Sequence, residues 1–551
     1  MAALSAIKLG ATVTIVSKEA SFVGGATIQA SGGVSIVYEP NDSPEIFYED
    51  IMKGGGYLNN PKLARILAER SKAALLKLED YGFILDRVSA EAFRRVLRSE
   101  GHSWARGYLD RRENLGWCHA LGSALARSNI TFCPEIMIVK LLVSGGQAVG
   151  ALGFSLVTGE YLVFNAKAVL LATGGLGQLY EVTTNAKTLT GDGFAMAWDI
   201  GAKLVDMEMV QFLPLAFPYP KAMRGVIIGM CSLFGPNVKL YNGLGERYMH
   251  KYDPERLEYT TRDAASRGNY SEIIEGRGTE RGAIIVDPTE NDPALLPSHR
   301  NSLPLVYGRI SKVFGEDAAN WKKPFEAIPS QHFFMGGVMI DEDCKSSVPG
   351  LFAVGEVSGG VQGANRLSGN ALTEIFVFGD LAGKSVARWA AKKKLIPPNA
   401  REIEDEIRQL EAAFNAQPKG GVRPFQIKEK IQNLMWRHLG PVRDKEGMEK
   451  TIAALKDLQQ NVLPRLYLGS RQPKYNREKV EAVEVRLMLK TALAVAHSAL
   501  SRTESRGSHY RKDFPLTDDK EWLKNVLVEK SRDGDIAISY KTQDKAVNMD
   551  W

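Results

Sequence analysis

The sequence predicts an α/β fold in which buried strands end in glycine-rich turns that lead into helices. Three observations indicate this class. Residues 1–9 read as a helix and residues 11–17, ATVTIVS, as a buried strand after it. Residues 168–172 form a continuous apolar run that ends in Thr-Gly-Gly. A third apolar strand ends at Gly355-Glu356 and is followed by a glycine-rich loop and a helix start.

Length and composition limit the functional classes. A chain of 551 residues is long enough for two or more domains with their own cores. The net charge of +6 is too mild and too dispersed to indicate nucleic acid as a partner. No apolar run approaches the roughly 20 residues that a membrane-spanning helix needs. The four cysteines show no CxxC spacing, which predicts no metal site in this chain and fits a reducing compartment.

The first helix and strand look like the interior of a dinucleotide-binding unit. In such a unit the helix follows a first strand and a GxGxxG loop, and its N-terminus carries the pyrophosphate. That strand and loop are absent from the sequence, and we expect them upstream of Met1. The alternative is a chain that binds no dinucleotide.

The middle and end of the chain are predicted in outline. Residues 44–130 read as mostly helical, residues 130–165 as a β-meander, and residues 194–200 as a helix after Thr-Gly-Asp-Gly. Residues 207–330 contain more Tyr, Pro and charge and fewer strand patterns. Residues 396–500 read as helical after the boundary marked by two prolines.

The densest group of candidate functional residues lies between residues 331 and 378. Glycines there allow the backbone to approach a flat ligand. Glu356 ends a strand, which suits a ribose hydroxyl. Arg366 projects from a glycine-flanked loop, and its planar guanidinium suits a carboxylate. His332 stands beside a Met-Gly-Gly turn. Alone, glycine clusters of this kind more often mark turns between buried strands.

Four motifs resemble the flavoprotein subunit of the succinate dehydrogenase and fumarate reductase family. They are HFFMGG at 332–337, GANRL at 363–367, YTTRDAAS at 259–266 and ESRGSHYRKDFP at 504–515. The resemblance implies an FAD-binding Rossmann-like domain, here without its first strand and GxGxxG loop, an inserted α+β capping domain and a C-terminal helical domain. The implied divisions are 1–206 and 331–395 for FAD binding, 207–330 for the cap, 396–500 for the helical domain and 501–551 for a C-terminal tail region.

The resemblance also implies an activity: hydride transfer between flavin N5 and a C=C or CH–CH bond next to a carboxylate. By analogy with the family, Arg262 would act as proton donor and acceptor. His332 and Arg366 would hold a substrate carboxylate, and Asp263 would orient Arg262. An arginine is a weak acid because its pKa lies above about 12, so this role requires burial and alignment.

The expected cofactor is FAD, held non-covalently, because Ala26 stands where many members have a histidine bonded to the flavin. By the same resemblance, Ser17 and Lys18 would face the adenosine. The implied cofactor-binding residues are Ser17, Lys18, Gly25, Ala26, Thr27, Gly32, Gly33, Thr173, Gly174, Asp192, Gly355, Glu356, Asn370 and Leu372. His102 is a further candidate for flavin contact, with a structural histidine as the alternative.

The sequence departs from the family pattern at the substrate. Leu213 replaces a substrate-binding histidine, the region 227–234 lacks the usual polar residues, and Gln362 replaces another histidine. One end of the pocket is therefore expected to be apolar, and the substrate need not be fumarate itself. A slipped alignment of this loop is the alternative.

Two other functions remain open: an amino-acid oxidase resembling L-aspartate oxidase, and an inactive flavoprotein-derived scaffold. With no cluster ligands of its own, the chain is expected to need an iron–sulfur electron-transfer subunit. The resemblance implies a cytoplasmic protein that could associate with the inner face of the membrane through its partner subunits.

Overall fold

The computed structural model describes residues 1–20, 24–30, 33–86, 89, 101–108 and 115–543. Its helices are α1 (Ala2–Ile7), α2 (Pro44–Gly54), α3 (Pro61–Leu76), α4 (Leu115–Ala126), α5 (Asp192–Asp199), α6 (Arg262–Glu272), α7 (Leu296–Ser302), α8 (Pro304–Phe314), α9 (Glu316–Ala319), α10 (Asn370–Ala391), α11 (Ala400–Asn415), α12 (Pro424–His438), α13 (Lys445–Asp457), α14 (Arg477–Ser501) and α15 (Asp519–Trp522).

The strands are short and belong to several sheets. They are β1 (Val13–Val16), β2 (Val34–Ser35), β3 (Gly107–Tyr108), β4 (Ile130–Cys133), β5 (Ile136–Ser144), β6 (Gln147–Ser155), β7 (Tyr161–Asn165), β8 (Val169–Leu171), β9 (Leu204–Val205), β10 (Val210–Ala216), β11 (Ile227–Gly229), β12 (Lys239–Tyr241), β13 (Ile284–Asp287), β14 (Phe325–Phe334), β15 (Gly337–Met339), β16 (Leu351–Ala353), β17 (Ser358–Gly359), β18 (Lys524–Lys530) and β19 (Ile536–Thr542).

Two pairs of parallel strands carry the predicted turns. β1 lies parallel to β4, and β8 lies parallel to β16. Leu171 is opposite Ala353 at the end of the second pair. Because the carboxyl ends of parallel strands meet at one edge of a sheet, the turn after β8 lies next to the turn after β16. The predicted helix and strand at residues 1–17 correspond to α1 and β1, and the predicted meander corresponds to the antiparallel sheet β5-β6-β7.

The segment with few local strand patterns contributes most of a five-stranded sheet, which agrees with the α+β cap that the resemblance implies. Its order is β11-β10-β14-β13-β12, and all of its pairs are antiparallel. We refer to it as the capping sheet. It has its own hydrophobic cluster, separate from the main one. Its central pair joins β10 to β14 across more than a hundred residues, and Pro214 lies within β10, so local alternation in the sequence was weak.

The predicted helical region forms α11 to α14. Side-chain caps begin three of these helices: Asn399 before α11, Asp444 before α13 and Asn476 before α14. The chain then returns to the main body, where β18 and β19 complete the sheet β17-β15-β9-β18-β19. Within the described residues, none of the helices is long and apolar enough to cross a membrane.

Candidate active site

A cavity of about 540 Å³ is lined by the turns after β8 and β16, by α10 and by residues of the capping sheet. It brings together residues from Met1 to Gly379. The predicted site residues that line it are Gly25, Ala26, Thr27, Gly33, Thr173, Gly174, Arg262, His332, Gly355, Glu356, Arg366 and Leu372.

The glycine turns leave room for a flat ligand against the backbone. Gly25 has φ +81°, and a Cβ atom added to it would meet no heavy atom within 4 Å, so the turn faces open space. Gly355, two residues after the end of β16, has φ +73°, a conformation that other residues rarely adopt. Both residues line the cavity, which fits a ligand that lies along these turns.

Helix α6 positions Arg262, because this residue is the first of the helix. Two buried side chains of α6 fix the helix on β10: Ser266 Oγ donates to the carbonyl of Phe212 at 3.0 Å, and Asn269 Nδ2 donates to the carbonyl of Pro214 at 2.9 Å. Nη2 of Arg262 donates to Ser368 Oγ at 2.9 Å. Arg262 is therefore anchored both to the capping sheet and to the loop before α10.

Arg366 is held in a buried network. Its Nη2 donates to Gln211 Oε1 at 2.9 Å and its Nη1 to the carbonyl of Leu367 at 3.1 Å, while the guanidinium lies 4.6 Å from the Phe333 ring centre. Gln211 Nε2 also donates to Asn365 Oδ1 at 2.7 Å. Burial and the neighbouring Arg262 lower the pKa of Arg366 to about 9, so it is charged at neutral pH but poorly solvated. A bound anion would stabilise this poorly solvated positive charge.

His332 projects from a β-bulge in β14. Gln211 pairs with Phe333 and Phe212 with Gln331, so the register skips His332. Such bulges redirect a side chain. Nδ1 of His332 lies 2.9 Å from Thr184 Oγ1. Burial and then the charges of Arg366 and Arg262 lower the pKa of His332 well below its ordinary value, so the imidazole is neutral.

Two buried carboxyl groups also line the cavity. Glu356 Oε1 accepts a hydrogen bond from the backbone N–H of Phe334 at 3.0 Å, and burial raises the pKa of Glu356 to about 8. Glu374 Oε2 accepts from Gln362 Nε2 at 2.7 Å, and burial raises the pKa of Glu374 to about 7. Both groups hold a proton in a range where ordinary glutamates are ionised.

The remaining predicted residues do not line the cavity among the positions described. Lys18 Nζ lies 2.6 Å from Asp192 Oδ2 and 2.8 Å from Glu484 Oε1. Asp263 Oδ1 accepts from Asn365 Nδ2 at 3.1 Å, and burial raises the pKa of Asp263. The others are Ser17, whose N–H donates to the carbonyl of Cys133, and Asn370, which is fully buried at the start of α10; Gly32 lies outside the described residues.

His102, the further candidate for flavin contact, is not among the lining residues. Its Nε2 lies 2.9 Å from the carbonyl of Ser368, and its side chain is buried beside Arg106. It therefore packs behind the loop that contacts Arg262.

Sequence reasoning missed several supporting residues. Thr184 contacts His332, Ser368 contacts Arg262, Gln211 holds Arg366, and Glu374 faces the cavity. Asn185 Nδ2 donates to the carbonyl of His332 at 2.9 Å. These are common polar residues at ordinary spacings, and only the fold brings them to the site.

Family models match most of the chain. Residues 1–372 match the model described as an FAD binding domain, and residues 428–550 match the model described as the fumarate reductase flavoprotein C-terminal region. The cavity lies almost entirely within the first match. Its glycine turns and buried polar groups fit the cofactor that this model names.

Relatives of similar length support the same family. One subunit of the fumarate reductase (CoM/CoB) of Methanothermobacter marburgensis is 38% identical, over 94% of this chain and 93% of the relative. The succinate dehydrogenase flavoprotein subunit of Rickettsia conorii is 30% identical, over 94% and 88%. A solved structure of a mutant E. coli quinol fumarate reductase FrdA superposes with a TM-score of 0.88 and 28% identity, covering 98% of this chain and 94% of that one.

These matches confirm the predicted family and fold class. They also confirm the predicted cofactor, FAD. The chain therefore belongs to the flavoprotein family of fumarate reductases and succinate dehydrogenases, and it is an FAD-dependent oxidoreductase that acts on CH–CH bonds.

Proposed function

We propose that the protein reduces, or in reverse forms, a C=C bond next to a carboxylate, with Arg262, His332 and Arg366 as the residues that act on the substrate. The observation that carries the proposal is the convergence of these three side chains on one cavity. When bound, FAD supplies the hydride chemistry of the family. The protein must then hold the carboxylate, draw charge from the double bond and move one proton.

Arg366 and His332 would bind the carboxylate. Arg366 is a buried guanidinium that repels Arg262, so an anion beside it gains a charge-assisted hydrogen bond and reduces that repulsion. Asn185 Nδ2 donates to Thr184 Oγ1 at 3.2 Å, which leaves the Thr184 hydroxyl to donate to Nδ1 of His332. In that tautomer the proton of neutral His332 is on Nε2, from which it can donate to a substrate oxygen. The hydrogen bond from neutral His332 would orient the substrate carboxylate, and the positive charge of Arg366 would attract it.

Arg262 would deliver the proton to the carbon that does not receive the hydride, and would take it back in reverse. The guanidinium is fixed by Ser368 and stands within the field of Arg366, whose positive charge favours proton release. Asp263 would position the start of α6 through its contact with Asn365 rather than donate protons itself.

The turns at Gly25–Thr27, Thr173–Gly174 and Gly355–Glu356, together with Leu372, would hold FAD. Ala26 offers no nucleophilic atom, which supports non-covalent binding. Ser17, Lys18, Gly32, Gly33, Asp192 and Asn370 stay predictions as cofactor contacts.

An iron–sulfur subunit would supply the electrons. Among the described residues, no group of His, Cys, Asp or Glu side chains could hold a metal. The relatives named above are themselves subunits. From the family resemblance, we also propose that the enzyme is cytoplasmic and reaches the inner face of the membrane through its partner subunits.

The test is a viologen-linked assay of the full-length, FAD-loaded protein with fumarate and a panel of other 2-enoates. Arg262→Ala should lose at least 1,000-fold in kcat while its flavin absorbance stays unchanged. Arg256→Ala, an exposed arginine six residues earlier, is the matched control and should keep its activity. Substantial turnover by Arg262→Ala would refute the assigned role.

The same preparation separates the alternatives. Hydrogen peroxide formation with L-aspartate, without reduction of any enoate, would favour the oxidase. Protein that folds but retains no flavin absorbance would favour the scaffold.

A further inference from the structure

The part of the cavity wall contributed by β10, β11 and the adjoining loops is mostly apolar, and Ser232 is its one polar side chain among the described lining residues. It consists of strand residues from β10 and β11, the turn that follows β11, and the residue before α8. The aliphatic side chains that face the cavity here are Leu213, Ile227, Ile228, Met230, Leu233 and Leu303.

This wall adjoins the carboxylate-binding residues. Leu213 pairs with Ser330 of β14, only two residues before His332. Leu213 and Ile228 are almost fully buried, at 1% and 0% exposure, although both line the cavity. A substrate whose carboxylate reaches Arg366 and His332 would therefore direct its other end toward alkyl groups.

The basic side chains that line the cavity come from other elements, namely α6, β14 and the loop before α10. Among the cavity-lining residues that the structure describes, they are Arg262, His332 and Arg366. The proposed function uses two of them for one carboxylate and the third for the proton. A second carboxylate would leave water for a surface that offers it no charged partner, which is strongly unfavourable, whereas an alkyl or aryl group would gain from burial.

We propose, on the basis of that proposed function, that the substrate is a monocarboxylic 2-enoate with an apolar substituent at C3, and that Leu213 and Leu233 determine this specificity. The double bond takes up one hydride and one proton to give the saturated monocarboxylate, and the electrons come from the reductant that serves the FAD. Fumarate carries a carboxylate where the apolar group belongs and is a poor substrate.

The first experiment compares kcat/KM of the FAD-loaded, full-length protein for fumarate, (E)-but-2-enoate, (E)-hex-2-enoate and (E)-3-phenylpropenoate, with reduced viologen as the electron donor. We expect but-2-enoate to exceed fumarate at least tenfold, and each added methylene to raise kcat/KM about fourfold until the wall is filled. A preference for fumarate over every monocarboxylate would overturn the inference and leave the proposed function standing. Reduction of none of the four acids would overturn both.

A binding measurement provides a readout independent of turnover. Calorimetry on the oxidised, FAD-loaded protein under anaerobic conditions should show hexanoate binding at least tenfold more tightly than succinate. The reverse order would contradict an apolar wall at the substrate, whatever the rates.

Two variants locate the specificity. Leu213→His adds a hydrogen-bond donor to the apolar wall and should raise the ratio of kcat/KM for fumarate to that for but-2-enoate at least tenfold. Leu244→His makes the same change at a side chain of the capping segment that is 67% exposed, and should leave the ratio unchanged. If Leu213→His loses its flavin, Leu213→Ala serves instead and should favour phenylpropenoate over but-2-enoate. Equal ratios in wild type and a flavin-loaded Leu213 variant would refute the role of this residue.

Discussion

Replacing Glu374 by Gln removes a buried carboxyl group from the cavity wall with almost no change in size. Gln362 can still donate its hydrogen bond to the new amide oxygen. Burial raises the pKa of Glu374 from its ordinary value of 4.5 to about 7. Between pH 4.5 and about 7, the folded protein keeps this proton whereas the unfolded chain releases it. The free energy of unfolding therefore falls as pH rises through this range.

The size of the effect follows from these two values. Each unit of difference between the unfolded and folded pKa is worth about 1.4 kcal/mol. Above pH 7, the free energy of unfolding of the wild type is therefore lower by about 3 kcal/mol, and this loss is absent from Glu374→Gln. For 551 residues with an unfolding entropy of about 2.1 cal/mol/K each, 3 kcal/mol corresponds to about 3 °C in Tm. Burial also raises the pKa of Glu356, from 4.5 to about 8, so Glu356 lowers the free energy of unfolding as pH rises. This effect is present in both the wild type and the variant.

The assay is thermal unfolding of FAD-loaded protein at pH values from 5 to 9. The variant should match the wild type near pH 5 and exceed its Tm by about 3 °C at pH 8. Glu449→Gln, an exposed glutamate of α13, should follow the wild-type curve. Parallel curves for wild type and Glu374→Gln would show that this carboxyl is not held protonated in the fold.

Two further changes test the packing around the site. Lys18→Met leaves two carboxylates without their shared cation in a site where the Lys18 side chain is only 13% exposed, and should cost about 3–5 kcal/mol in urea unfolding. Lys490→Met breaks a pair that is about a third exposed and should cost about 1 kcal/mol or less, so equal losses would contradict this account. Gln211→Met removes the side-chain acceptor of Arg366 and should lower kcat/KM for carboxylate substrates about tenfold at unchanged flavin content, and full activity would show that Arg366 needs no support from β10.

Much of the fold was predictable because its signals are local. The strand at residues 168–172 and its Thr-Gly-Gly turn, the meander at 130–165 and the helices after residue 396 depend on periodicity and turn residues within a short window. The capping sheet was not predictable in the same way. Its central pair joins β10 to the distant β14, and Pro214 breaks the alternation of β10 next to a β-bulge.

The residues of the candidate site also fall into two groups, those that local motifs indicate and those that only the fold brings to the site. Arg262, His332, Arg366 and Glu356 were predictable because each stands in an informative string of residues, whereas Thr184 has no such string around it. Its contact with His332 depends on tertiary pairing: Thr183 bridges Gln331, and the Thr184 N–H donates to the Gln331 carbonyl at 2.9 Å, which places Thr184 next to His332.

By itself, the sequence determined which chemical groups are available: the two arginines and the histidine, the glycine turns, and an aliphatic residue at position 213. Only the tertiary structure decided that they share one cavity and that Leu213 faces it, because these depend on pairing between segments far apart in the chain. It also decided the raised pKa values of Glu356 and Glu374, since burial removes the water that would stabilise the charge of a carboxylate.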